Sequence, residues 1–386
     1  MSFTGKATYS AGASLPEIAE DVSDIISIVS PYETPLLDLL GDSTRCAHST
    51  YHEWIEDRLT PNTDTIDDAG VESNPDKTDI RVSNADRFRV GDLVKAGDWE
   101  EVMLVQAINL ANRVVTFRRF YGGTPTAELE NGMELKIISN PNFEGSDCSD
   151  SRFTNRVRLG NWTQIFSAGI KVSGSEMAVR NLAVADELDY QKQERLRELL
   201  RDLENTIING TCADTDKQGT SIVRRSMNGL IKSITTNAKA PSDLISGTTD
   251  YTLTEELLNL ALRNIWKKSS SRIDTIVCNG TQKRKINSFI TSSRAYNPAD
   301  ETFRDMVSTY ESDFGVCKVI LSRYVPEDTI LLLDSSRIDV MPLAGRSFHY
   351  KQLASTGDYE AGEIIGEYTM EFRNESAHGM ITQLTY

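Results

Sequence analysis

The sequence has little of what enzymes and membrane proteins usually need. Four histidines and five cysteines are spread over 386 residues. The cysteines (Cys46, Cys148, Cys212, Cys278, Cys317) are odd in number, far apart and never arranged as C-x-x-C. That pattern argues against a disulfide framework and a thiolate metal site, and it reads as reduced, mostly buried thiols in a cytoplasmic product. No window holds the ~18 uninterrupted apolar residues that a membrane-spanning helix requires. The opening MSFTGKATYSAGASLPE has no basic flank before an apolar run, so it does not read as a secretory signal. Positive charge is also short: 41 Lys and Arg face 57 Asp and Glu, a net charge of −16. A surface of that sign repels a nucleic-acid backbone, which excludes tight nonspecific DNA or RNA binding, and it favours solubility at high concentration.

Motifs for chemistry are missing as well. There is no G-x-x-x-x-G-K-[ST], no G-x-G-x-x-G opening a helix and no G-x-S-x-G elbow. His52-Glu53 begins like a zinc-protease helix, but the second histidine that motif requires falls at Glu56. His48 and His52 are four apart, a helical spacing in a stretch that reads as extended. His349 and His378 stand alone. The Asp67-Asp68 pair lies in a loose segment that would not hold catalytic geometry. No catalytic, cofactor-binding or metal-ligating residues are therefore predicted.

What is present is a folded, soluble composition: 39% hydrophobic and 25% charged residues. The length leaves room for two or three domains at ~150 residues each and for a core that needs no metal or disulfide staple. The most informative stretch is Val184 to Gly210, VADELDYQKQERLRELLRDLENTIING. Leu196, Leu199, Leu200, Leu203 and Ile207 recur at helical spacing in an otherwise charged run, which predicts a helix over 184–209 with a thin apolar stripe. Asp186 and Glu187 suit its positive N-terminal end, and Asn209-Gly210 suits a left-handed stop. At 1.5 Å per residue the rod would be roughly 40 Å long. A stripe so narrow predicts a helix lying across the back of a sheet, its other face open to solvent or to further copies.

Residues 1–13 are small and polar and read as a flexible arm. Ser14 can cap a helix from Leu15-Pro16 carrying Ile18, Val22, Ile25, Ile26 and Val29, which ends at Ser30-Pro31. Pro35 then opens a short apolar element, Leu36 to Leu40, stopped by Gly41. Residues 50–57 look extended, and residues 58–78 are polar, acidic at Asp64, Asp67 and Asp68, and predicted to lack a core. Strand-like runs follow at Phe88 to Val94, Val102 to Ile108, Arg113 to Phe120 and Met133 to Ile138, with turn signals between them. They suggest a small SH3-type β-barrel over 79–139, inserted at the tip of a two-stranded excursion. Arg152, Arg156 and Arg158 share one parity. The plainer reading is solvated charge; the sharper one is a basic ladder that answers Asp64, Asp67 and Asp68 in a neighbouring copy. After Asn161 the chain reads as strand, turn and short helix, with Ser175 as its cap. From 252 the pattern turns α/β: a Thr252–Glu255 capping box, a helix with Leu257, Leu258, Ala261, Leu262 and Ile265, strands at Ile273 to Cys278, Cys317 to Leu321 and Thr329 to Leu333, and a helix carrying Ile286, Phe289 and Ile290. Residues 363–386 return to strands.

Several of these stretches together resemble one family. IVSPYETPLLDLLG at 28–41, HEW at 52–54, RLGNWTQIFSAGIKVSGSEMAV at 158–179, ELDYQKQERLRELLRDLENTIING at 187–210 and IIGEYTMEFRNESAHGMI at 364–381 are similar to motifs of the major capsid proteins of tailed bacteriophages with the Hong Kong ninety-seven-type fold. The resemblance implies an α+β fold with an N-terminal arm at 1–50, an extended loop at 51–78 and 140–165, and the inserted barrel at 79–139. It further implies a peripheral domain at 166–227 and 352–386 with the spine helix 184–209, and an axial domain at 228–351. It implies a structural protein that self-assembles into an icosahedral head around double-stranded DNA. The implied partners are identical subunits in hexamers and pentamers, with portal, scaffolding and decoration proteins, and no sequence-specific DNA contact. Assembly would take place in the host bacterial cytoplasm. A phage tail or decoration protein, or an enzyme built on the α/β part, would be the alternatives. Closed shells, tubes or rings, and small oligomers respectively tell them apart.

Overall fold

A computed structural model describes residues 34–41, 43–57, 59–71, 76–126, 128–145, 154, 156–178, 187–269, 272–291 and 309–385. The expected arm, the helix at 15–29, Cys148, Arg152 and residues 184–186 of the expected long helix lie outside them. The chain divides into two compact units, Ile55–Val157 and the remainder, Met1–Trp54 with Arg158–Tyr386.

The unit Ile55–Val157 is an antiparallel six-stranded sheet. Its spatial order is Thr63–Thr65, Glu134–Ser139, Leu93–Ala96, Val102–Asn109, Val114–Arg118, Asp79–Arg81. The two edges of that row meet. Ile66 and Val82 form an antiparallel bridge, the Asp67 N–H donates to Arg81 O, and the Ser83 N–H donates to Thr65 O. Alternation sends Val115 and Phe117 inward, where they are fully buried, while Thr116 and Arg118 face out. Val94, Ala96, Met103, Val105 and Leu135 fill the same core.

Two expectations are corrected here. Phe88 to Val94 is not one strand: a turn intervenes, pairing starts at Leu93, and Phe88 enters the core edge-on to Phe117. Residues 58–78 do contribute to a core, because Ile66 and Val71 are buried in it. Two apolar residues in a polar run give no periodic signal, yet they suffice once the strands around them supply the other walls.

The second unit is built around Tyr359–Phe372, a 14-residue strand. Gln164–Ser173 pairs with one side of it; His349–Leu353 and Ile338–Pro342 share the other. One face of this sheet presents Phe166, Ile170, Val172, Ile364, Met370 and Phe372 to the 23-residue helix Glu187–Asn209. Leu199, Leu203, Ile207 and Ile208 of that helix are buried there, whereas Leu196 is exposed. The fully buried part of the apolar seam thus lies in the C-terminal half of a helix about 35 Å long, and Leu188 near its start packs partly buried against the same core. The outer half of the helix surface carries ion pairs such as Lys192–Asp189 and Arg197–Glu194.

The expected left-handed stop at Gly210 is also corrected, since Gly210 does not have a positive φ. A Cβ there would collide with Thr206 O, and the Gly210 carbonyl accepts from the Gly229 N–H at 2.8 Å. Glycine is needed for close backbone approach.

A mixed six-stranded sheet completes the unit, in the order Ala238–Lys239, Gly379–Ile381, Ile330–Leu333, Thr275–Cys278, Gly315–Leu321, Thr309–Ser312. The helices Glu255–Lys268 and Gly280–Thr291 belong to this region, and Leu257, Leu258, Ala261, Leu262 and Ile265 pack on its strands as their spacing predicts. The helix cap is Thr254, whose Oγ1 accepts from the Leu257 N–H, rather than Thr252. Likewise Ser173 Oγ, not Ser175, accepts the Glu176 N–H at the short helix Gly174–Ala178.

Gly379–Ile381 pairs with Ile330–Leu333 rather than with the sheet under the long helix, and Ile338–Pro342 and His349–Leu353 join that sheet instead of the α/β part. Strand pairing is a long-range choice that local pattern does not encode.

Candidate functional site

The chemistry-bearing side chains gather as buried carboxylates, each held by groups from distant segments. Along the strand Tyr359–Phe372, the face away from the long helix carries Glu363, Glu367 and Glu371, four residues apart and so on one side. Glu371 is almost fully buried. Arg45 grips both of its oxygens, at 3.3 and 2.7 Å, and also reaches Asp339 at 3.1 Å. His52 Nε2 lies 2.7 Å from Glu371 Oε2, and Arg373 Nε lies 3.4 Å from Oε1. Burial would raise the Glu371 carboxyl, but hydrogen bonds from His52 and Arg45 and the Arg45 charge hold it below the ordinary carboxylate range. The same segment is stitched to the sheet by backbone: the Ala47 N–H donates to Pro342 O, and the Ala344 N–H to Ala47 O.

Glu367, also buried, is shared by Arg225 and Arg346 and accepts from Thr163 Oγ1 at 2.6 Å. Glu204 projects from the long helix and is fully buried. Its two oxygens accept the backbone N–H groups of Leu36 (3.3 Å) and Leu37 (3.1 Å). These open the helix Pro35–Leu40, whose Thr34 supplies no side-chain cap. In the other unit Glu101 pairs bidentately with Arg119, both buried. A polar residue within an apolar stripe, such as Glu204, is the one signal that could have marked these carboxylates beforehand.

His378 is fully buried and stacked on Phe372 with ring centroids 4.3 Å apart. Its Nδ1 accepts the Asp334 N–H, which leaves the proton on Nε2, 3.3 Å from Arg373 O. Burial pushes its pKa down to about 4. Burial likewise raises the thiols of Cys278 to about 12 and Cys317 to about 11, so both are inert structural groups. Cys212 is buried too and Cys46 is exposed, so three of the four described cysteines are buried, in line with the expectation of mostly buried thiols.

The residues proposed from sequence as an acidic–basic contact are distributed differently from one another. Asp64 is buried, and its carboxylate takes the Asn84 N–H at 2.8 Å and Arg87 Nη1 at 3.2 Å. Asp68 would be raised by burial, but hydrogen bonds from Lys77 and from the Arg81 and Gly70 amides hold it below its ordinary range. Asp67 is half exposed, 3.4 Å from Arg81 and 3.7 Å from Arg113. Arg156 and Arg158 are exposed, and Arg158 lies 3.8 Å from Glu53. The structure therefore gives all three aspartates partners within their own unit.

Tyr51–Glu56 and Val157–Trp162 form a separate two-stranded ribbon. Gly160 is required in it, because a Cβ would lie 2.7 Å from both His52 O and the Tyr51 ring. Ile55, Val157 and Leu159 of this ribbon are exposed. A groove of about 500 Å³, lined by Lys171, Glu176, Glu187, Gln191 and Arg195 among others, runs beside the long helix. It is open and polar. An apolar recess below Trp266 and Phe314 has only about 10 Å³, the size of one water.

A family model described as SU10 major capsid protein matches residues 3–385. Among solved structures, the capsid of a native GTA particle is 10% identical, with 99% of this chain and 100% of that chain covered and a TM-score of 0.52. A chain of Gordonia phage Cozz is 11% identical, with 100% and 99% covered and a TM-score of 0.50. The capsid of an empty GTA particle is 8% identical, with 94% and 100% covered and a TM-score of 0.51. No curated protein matches the chain.

Proposed function

The chain belongs to the SU10 major capsid protein family, and from that premise we propose that it is the repeating subunit of an icosahedral head enclosing double-stranded DNA, assembled from identical copies in hexamers and pentamers. It is a structural protein, a major capsid protein of a tailed bacteriophage, with the α+β fold of Hong Kong ninety-seven-type capsids. The observation that carries the reading is the family match across nearly the whole chain.

Physical features support self-assembly. A lone two-stranded ribbon is marginal in water, and Ile55, Val157 and Leu159 on it are exposed. Burial against another copy would stabilise both. The net charge of −16 keeps packaged DNA from sticking to the subunit. Glu101, Glu367 and Glu371 are held by arginines, and Glu204 accepts two backbone N–H groups. Among the described residues no helix is long and apolar enough to cross a membrane.

In this reading residues 1–50 are the N-terminal arm and the ribbon belongs to the extended loop. The six-stranded unit within Ile55–Val157 is its inserted SH3-like barrel. The long helix is the spine of the peripheral domain, and the mixed sheet forms the axial domain. Portal, scaffolding and decoration proteins are further partners, and the host bacterial cytoplasm is the place of assembly. The exposed Arg156 and Arg158, with Arg152, face carboxylates of a neighbouring copy. Asp67 suits that role better than Asp64, which is committed inside.

Electron microscopy of the expressed protein tests the reading: closed shells are expected, and small discrete oligomers, tubes or rings would reject it. Charge reversal at all three arginines (Arg152→Glu, Arg156→Glu, Arg158→Glu) is expected to leave folded subunits that form no shells. Normal shells from that variant would remove the arginine contact and leave the capsid assignment standing.

A further inference from the structure

We propose that Glu204 is the anchor that holds the helix Pro35–Leu40 on the long helix, and that shell closure depends on this anchor more than the subunit fold does; the second half rests on the capsid reading above. The helix Pro35–Leu40 has six residues and no intrinsic stability in water. Its first turn is nonetheless fully accounted for. Pro35 has no N–H to satisfy. The Leu36 and Leu37 N–H groups each go to one oxygen of Glu204, and the Asp38 N–H goes to Thr34 O at 2.9 Å.

The carboxylate lies 168 and 167 positions further along the chain, on the long helix, and is fully buried. A buried carboxyl group is costly unless its oxygens are hydrogen-bonded, and here each oxygen accepts a backbone N–H from the first turn of the helix. An apolar residue would fit the stripe formed by Leu199, Leu203 and Ile207 without that cost. The carboxyl group therefore serves the connection. Leu36, fully buried in the same core, sets the depth of the contact, and Glu204 sets its direction. In the capsid reading Pro35–Leu40 belongs to the N-terminal arm, so loosening this contact would be felt where copies meet.

Amide exchange read by mass spectrometry on a peptide spanning 34–41, together with electron microscopy of the same preparations, tests both halves. Glu204→Ala releases both amides, and their exchange should quicken about tenfold or more, the range for losing two buried hydrogen bonds. Glu204→Gln keeps one acceptor oxygen and should release one amide, with exchange elsewhere in the long helix unchanged and the melting temperature close to that of the parent. Both variants should form shells in much lower yield or with irregular outlines. If Glu204→Ala does not fold, Glu204→Gln carries the test. Unchanged exchange at 34–41 would overturn the anchor. Faster exchange with normal shells would overturn its role in closure. Absence of shells from the parent protein would overturn the capsid reading and with it the closure half, while the exchange data would still decide the anchor.

Discussion

Single buried charges tie this subunit together, and they make its stability depend on pH in a calculable way. His378 is neutral when folded, with a pKa near 4, while an unfolded histidine titrates near 6.5. Between those values the unfolded chain binds the extra proton, so stability is full above about pH 6.5 and falls as pH drops toward 4. The loss amounts to about 3 kcal/mol at most. Glu371 and Glu375 have depressed carboxyls, the latter lowered, against its burial, by hydrogen bonds from Thr236 and Thr235. Their contributions are present above the ordinary carboxylate range and are lost as pH falls through the lower folded values. Denaturant titrations from pH 7 to 4.5 should show the decline, and His378→Gln should flatten it over that window. A second comparison isolates Glu367. Glu367→Ala strands Arg225 and Arg346 and should cost about 3 kcal/mol or more. Lys351→Ala, whose partner Glu363 lies 3.7 Å away on a largely exposed pair, should cost under about 0.5 kcal/mol. Equal losses in the two variants would refute this account.

Among the elements, the long helix shows how burial rather than propensity holds a polar rod in place. Leu203 sits in the core with Phe166 and Met370, and Leu196 on the same predicted stripe is exposed. Leu203→Ala should therefore destabilise by about 2–5 kcal/mol, and Leu196→Ala by less than about 1 kcal/mol. Thermal melts of the isolated subunit would decide. A large loss at Leu196 would mean that the stripe is covered along its whole length in the subunit. The stripe itself was legible in the sequence, as were the strands Val102–Asn109, Val114–Arg118 and Gly315–Leu321. The strand Thr63–Thr65 was not, because three residues in a polar run carry no period.

For the molecule as a whole, the unit Ile55–Val157 has a core of its own, built from Ile66, Ile80, Met103, Phe117 and Leu135 with the buried Arg119–Glu101 pair. Residues 55–157 expressed alone should fold and melt cooperatively, as far-ultraviolet circular dichroism would report. A non-cooperative melt would show that this unit depends on the rest of the chain. Both chain ends of the unit lie in paired strands, Tyr51–Glu56 and Val157–Trp162.

The sequence by itself determined the character of each part: a polar rod with a thin seam, a set of alternating strands, a compact α/β run, and a negative chain without catalytic motifs. Those properties are local, since they rest on periods of 2 and 3.6 residues and on summed charge. The tertiary structure alone decided which strands pair, as when Gly379–Ile381 joined Ile330–Leu333. It decided why Gly210 must be glycine, and that Asp64 is consumed by Asn84 and Arg87. It also decided that Glu204, Glu367 and Glu371 are the anchors. Each of these joins residues tens to hundreds of positions apart, and the free energy of burying a charge depends on those distant partners, which no local window contains.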